Sequence, residues 1–273
     1  MIAHGSAFPV AKLALNNSVP PILMASLRMG LVFLILIPFW KFRVPAKKFL
    51  KPLVFFSISM GVLVYVFMNL SLYNSSIIAP IILGSQLAIP FGILASALIL
   101  KENISKNKWI LILTSFLGII IIFFDPELTE NYLGLFFASL MALFFGLAQV
   151  YSRQLKELPT SMINASTGIF GFAILLIISF FLEGNIFFNV KQINYESWAL
   201  IAYQAIIVSL CAHLLMFYLY KFYTVGQIFP FYSLFPIFGI ILTYLVFGEV
   251  PTILFILGGI IVISSVFFLH KIK

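Results

Sequence analysis

Long apolar runs alternate with short polar or helix-breaking clusters from one end of the chain to the other. The apolar segments lie near 1–16, 20–42, 50–73, 75–100, 107–124, 131–155, 159–183, 195–221, 224–247 and 252–270. Clusters such as Asn16-Asn17-Ser18, Asn74-Ser75-Ser76 and Glu183-Gly184-Asn185 separate them. A helix needs about 20 mostly apolar residues to cross a bilayer, so the pattern predicts an all-α membrane protein of ten transmembrane helices. The first helix reads as truncated: at 1.5 Å per residue it reaches about 24 Å, against a hydrocarbon core of about 30 Å. No stretch is long and polar enough to form a soluble domain.

Composition sharpens the exclusion. Of 273 residues, 63% are hydrophobic and 9% are charged, and the mean hydropathy is +1.16. An ordinary soluble domain has roughly 25% charged residues, so too few charges are present to cover a water-facing surface. Cytosolic enzymes, secreted disulfide scaffolds and nucleic-acid-binding modules are excluded on this ground. Cys211 is the sole cysteine, which rules out an internal disulfide and a thiolate metal cluster. The first segment lacks the basic start and small-residue cleavage pattern of a removable signal peptide.

The net charge of +8 is explained by loops rather than by a nucleic-acid partner. With the amino terminus inside, the cytoplasmic side holds Lys41, Arg43, Lys47, Lys48, Lys51, Lys101, Lys106, Lys108, Arg153, Lys156, Lys221, Lys271 and Lys273. Lys12 and Lys191 fall on the outer side, together with Asp125, Glu127, Glu130, Glu183, Glu196 and Glu249. Basic residues mark cytoplasmic loops. This predicts a multi-pass protein of the cell membrane, the bacterial inner membrane in the simplest case, with both termini cytoplasmic and the lipid bilayer as its partner.

An internal repeat is visible. Phe91-Gly92 and Glu102 recur as Phe238-Gly239 and Glu249 at one offset of 147, and Gly5, Ala7 and Lys12 recur as Gly146, Ala148 and Arg153 at an offset of 141. Pro21 and Pro159 open the next helix in each half. The halves span 1–124 and 131–270, with five predicted helices each. An odd number turns the second half upside down, giving two inverted five-helix repeats with Glu102 inside and Glu249 outside. Inverted repeats place a solute site near the midplane where the halves meet.

Gly5-Ser6-Ala7-Phe8 through Lys12, the Pro20-Pro21 turn, Leu27-Arg28, and the Gly92–Glu102 and Gly239–Glu249 helix ends resemble the EamA family of the drug/metabolite transporter superfamily. The resemblance covers the whole chain as two repeats. It implies a ten-helix carrier that moves small metabolites, often exporting amino acids or their derivatives. A monomer or homodimer is the expected assembly.

Arg28 is the costliest residue to place. A charge inside a span costs at least about 2.5–3.5 kcal/mol on insertion scales and faces an interior or a wet cavity. No Asp or Glu lies inside a predicted span away from its ends, so a solute carboxylate or phosphate is one counter-ion for it; bonding to helix-end carbonyls or snorkelling to the interface is the alternative. Asn69, Gln86, Gln204, Tyr232 and Ser233 lie at comparable depths and must find partners inside the bundle. They read either as the polar lining of a substrate pocket or as glue between helices. His213 lies deep in the eighth predicted helix and can carry a proton near neutral pH, which makes protons a candidate coupling partner; a neutral hydrogen-bonding role is the alternative.

Pro80 and Pro90 in the fourth helix, and Pro230 and Pro236 in the ninth, predict kinks in corresponding helices, a pattern that points to a gate. Gly84, Ala88, Gly92 and Ser96 form a stripe of small residues, which favours close helix approach. Transport by alternating access is the reading these features favour. A membrane enzyme would need paired acids, metal ligands or a nucleophile at depth, and the sequence offers no such motif and calls for no cofactor. A non-transporting scaffold would have no use for an internal arginine or paired kinked helices.

Overall fold

A computed structural model describes residues 1–39, 45–212, 215 and 235–271. Among these the secondary structure is helical, without strands. Helices α1 (Ile2–Gly5) and α2 (Ala7–Asn16) are followed by α3 (Pro21–Leu36), α4 (Lys47–Phe56), α5 (Val64–Tyr73), α6 (Ala79–Gly84) and α7 (Ala88–Ile99). Then come α8 (Lys106–Phe123), α9 (Tyr132–Gln154), α10 (Thr160–Leu182), α11 (Ile186–Gln192), α12 (Tyr195–Tyr203), α13 (Phe235–Phe247) and α14 (Ile253–Lys271).

Several run together into longer rods. Pro21–Phe39, Lys47–Tyr73, Ala79–Ile99, Lys106–Phe123, Pro126–Gln154, Thr160–Leu182 and Tyr195–Ala212 are seven stretches long and apolar enough to cross a membrane among the described residues. Phe235–Phe247 and Ile253–Leu269 are shorter apolar helices. This is a multi-pass membrane protein. Leu98, Phe181, Leu182, Leu245 and Ile253 stand exposed on its outside, which suits a surface solvated by lipid.

Local chemistry explains the boundaries. Pro20 and Pro159 precede the first turns of α3 and α10 in extended conformation, and Pro21 itself occupies the first turn, where a missing N–H costs nothing. Asn185 and Asn194 cap α11 and α12 by accepting from Phe188 N–H and Ser197 N–H, as short polar caps do. The short α11 lies in a segment that the hydropathy pattern leaves as a connection.

Glycines set the closest approaches. A Cβ on Gly5 would lie 2.7 Å from Gly239 N and 2.9 Å from Phe235 O, and one on Gly146 would lie 2.6 Å from Gly92 N and 2.8 Å from Ala88 O. Thus α1 meets α13, and α9 meets α7, backbone against backbone. The small stripe of Gly84, Ala88 and Gly92 faces α9, with Gly84 opposite Ala138. Helix α3 packs along α10, α8 along α14, α5 against α9 and α2 against α12.

Two interruptions widen helices. The backbone forms π-turns over Ser57–Leu63, between α4 and α5, and over Gln204–Ala212, after α12. Such segments recur at functional sites because a residue is squeezed into the turn and side chains are re-aimed.

Candidate functional site

Arg28 lies in the middle of α3 and is 4% exposed. Its Nε donates to Ser209 Oγ at 2.9 Å and its Nη1 to Gln204 Oε1 at 2.5 Å. The guanidinium also lies over the Tyr65 ring, 4.4 Å from the centroid, in cation–π geometry. Gln204 and Ser209 belong to one π segment, and Tyr65 stands just beyond the other. The two distortions therefore converge on Arg28. Tyr203, next to Gln204, shares a 2.9 Å hydrogen bond with Ser6 of the first helical segment.

No carboxylate balances this charge. Every Asp and Glu of the chain lies among the described residues, and each stands at a helix end or in a connection. Gln204 is 1% exposed, and its Nε2 has no hydrogen-bond partner among the described residues. A buried unsatisfied donor of this kind calls for an explanation.

The other residues singled out by their depth are distributed differently. Asn69 is buried and donates from Nδ2 to Pro21 O at 2.8 Å, seven residues and about 10 Å along α3 from Arg28. Gln86 is buried on the 3-10 turn Ser85–Leu87 between α6 and α7. His213, Tyr232, Ser233 and Pro230 lie outside the described residues. Tyr65 and Ser209 carried no signal in the sequence beyond a hydroxyl within an apolar run.

The prolines need a correction. Pro80 sits in the first turn of α6, where its absent N–H has no helical partner to lose, so it starts a helix rather than kinking one. The interruption falls instead at Ser85–Leu87, where the helix tightens. Pro90 follows at the third position of α7, and the hydrogen-bond ladder cannot continue through its ring. Pro236 is the second residue of α13.

Charges at the helix ends are bound tightly and across the two halves. Glu183, after α10, accepts from Ile22 N–H at 2.6 Å and Leu23 N–H at 2.8 Å, so it caps α3. Glu249, after α13, accepts from Ile78 N–H at 2.9 and 3.0 Å and from Ala79 N–H at 3.2 Å, and thereby caps α6. Lys12 donates to Leu72 O at 2.8 Å and Ser75 O at 2.6 Å, at the C-terminal end of α5. These placements follow the helix dipole, with anions at N-termini and cations at C-termini. Burial pushes the Glu249 carboxyl above the ordinary carboxylate range, against the pull of the Ile78 and Ala79 N–H groups and of nearby Lys12. Elsewhere Arg153 Nη1 reaches Glu102 at 3.1 and 3.3 Å, with both side chains more than half exposed.

No curated protein matches the chain. A solved structure titled "Crystal structure of protein" matches with a TM-score of 0.62 at 16% identity, covering 97% of this chain and 93% of that one; at that identity the likeness is one of fold. The model of the EamA-like transporter family matches residues 1–124 and 132–270. The chain accordingly belongs to the EamA-like transporter family, as two consecutive repeats of it.

Proposed function

We propose that this protein is a secondary transporter, an exporter of small polar or amphipathic metabolites, working by alternating access between two inverted five-helix repeats. The path runs where the repeats meet, past Arg28, Asn69, Gln86 and Gln204, with Pro90 and Pro236 at its flexible points; His213, Tyr232 and Ser233, singled out in the sequence as further lining, lie outside the described residues.

The observation that carries the reading is the reciprocity of contacts between the halves. Gly5 of the first half lies against Gly239 and Phe235 of the second, and their counterparts Gly146, Gly92 and Ala88 meet with the roles exchanged. Lys12 of the first half lies near Glu249 of the second, whereas their counterparts Arg153 and Glu102 form an ion pair. Such an exchange of roles is what an inverted pair of repeats would produce. Two equivalent closures at opposite faces, of which one is half-buried and the other exposed, are what a carrier alternating between its openings requires.

Purified protein in proteoliposomes, screened for flux of amino acids, organic acids, nucleosides and aromatic cations with and without a pH gradient, tests the reading. Saturable flux of one class supports it. Tight liposomes with correctly inserted protein and no saturable flux of any class would contradict it.

A further inference from the structure

The buried group around Arg28 is rich in donors and holds no carboxylate. The guanidinium has five N–H groups and no acceptor, and two of its nitrogens rest on Gln204 and Ser209. Gln204 gives its oxygen to Arg28 and leaves Nε2 facing the interior without a partner among the described residues. Ser209 accepts from Nε and retains its own hydroxyl hydrogen. Such a cluster is complementary to an acceptor-only group, and a carboxylate is the acceptor that a guanidinium grips with two parallel hydrogen bonds.

The surroundings restrict the rest of the solute. Met29, Val62, Tyr65, Met68 and Val208 are buried in the same apolar cluster, so the body beside the carboxylate meets apolar and aromatic walls. No carboxylate of the chain stands within a span to receive an ammonium. A fixed cation on the solute would therefore be brought into the membrane beside Arg28 without an anion of its own, at several kcal/mol of desolvation.

We infer that Arg28, Gln204 and Ser209 form a carboxylate dock, and that the transported solute is an apolar or aromatic monocarboxylate bearing no ammonium group. This rests on the transport reading and narrows it. The solute neutralises Arg28 when bound, and the loaded site crosses the bilayer without net charge.

Three solutes with one aromatic body separate the possibilities: phenylacetate, phenylalanine and phenylethylamine, each run beside its hexyl-chain analogue, hexanoate, norleucine and hexylamine. The expected result in proteoliposomes is saturable flux of the carboxylates at least tenfold above that of the zwitterions and amines. Arg28→Gln lowers this flux at least tenfold. Gln204→Glu is the second variant, because it places an internal carboxylate on Arg28, retains the packing, and abolishes carboxylate flux while the melting temperature in detergent holds or rises. Preferential flux of the zwitterions or amines would overturn the dock and leave the carrier reading standing. Undiminished carboxylate flux in a folded Gln204→Glu protein would do the same. Absence of flux for all six solutes in a protein that carries another class of the wider screen would overturn the dock alone; absence across the whole screen would overturn both.

Discussion

The carboxylate of Glu249, near the end of the chain, sits on the backbone N–H of Ile78 at 2.9 and 3.0 Å, and so fastens the second repeat to the first turn of a helix in the first. The loop bearing Glu249 also borders a hollow of about 30 Å³ lined by Ile77, Pro80, Glu127, Thr252 and Phe255, room for about one water. Thr252 donates to Asp125 beside it. Removing the carboxylate leaves the Ile78 and Ala79 donors without a partner in a half-buried place. Glu249→Ala is expected to lower stability by about 1–2 kcal/mol, read as a fall in melting temperature in detergent, with Glu249→Gln losing less.

The same carboxylate carries a pH signature. Its folded-state pKa is raised above the ordinary 4.5, so between the two values the folded protein holds a proton that the unfolded chain has released. Stability from this group is therefore fully present below 4.5 and is lost as the pH rises through the folded value. Melting curves of wild type and Glu249→Gln between pH 4.5 and 8 should draw apart toward the acid end, with wild type gaining. Parallel curves would show that the carboxyl titrates normally.

Glu183 makes the stronger cap. It accepts from Ile22 and Leu23 N–H and also from Ser179 Oγ at 2.7 Å. Glu183→Ala is expected to lower stability by about 1.5–3 kcal/mol, and Ser179→Ala by less. A loss no larger than that of Glu196→Ala, at an exposed helix start, would deny the cap its role.

The glycine crossings give a paired test of the repeat. Alanine at either Gly5 or Gly146 drives a Cβ to within 2.7 Å of a backbone nitrogen, where nothing flexible can yield. Each substitution is expected to cost about 1–3 kcal/mol as overpacking, and the two costs should be similar because the contacts are equivalent. Gly84→Ala meets only the Ala138 Cβ at 3.3 Å and should be milder.

Much of this was legible along the chain. The apolar runs match the seven long apolar stretches and the two shorter apolar helices of the described residues, though not a count of ten, and Pro21 and Pro159 mark two helix starts. The offsets of 141 and 147 joined Gly5 to Gly146 and Glu102 to Glu249 before any contact was known. Arg28 stood out because a charge in an apolar run is costly wherever it points. What could not be read was partnership. Glu183 caps a helix more than 150 residues away in sequence, and no local pattern announces a long-range cap. The π-turns at Ser57–Leu63 and Gln204–Ala212 leave no mark in the hydropathy pattern, so Tyr65 and Ser209 could not be assigned to Arg28. Pro80 misled for a related reason: hydropathy runs on through Ile77-Ile78, and the helix start within that run is set by the cap from Glu249.

The exposed ion pair between Arg153 and Glu102 separates stability from motion. Exposed pairs contribute about 0–1 kcal/mol, so Glu102→Gln should scarcely change the melting temperature. On the proposed carrier cycle, however, the pair closes one face and should set how fast that face opens. Flux should change several-fold in Glu102→Gln and return in the Glu102→Arg, Arg153→Glu exchange.

Alternating access to the Arg28 site is the central claim, and cysteine accessibility measures it directly. Cys211 is the sole cysteine, so Ser209→Cys in a Cys211→Ser background places one thiol beside Arg28. A membrane-impermeant maleimide applied to either side of oriented vesicles should label that thiol from both, each at a rate slowed by transported solute. Labelling from one side only, or from neither in folded protein, would contradict the account.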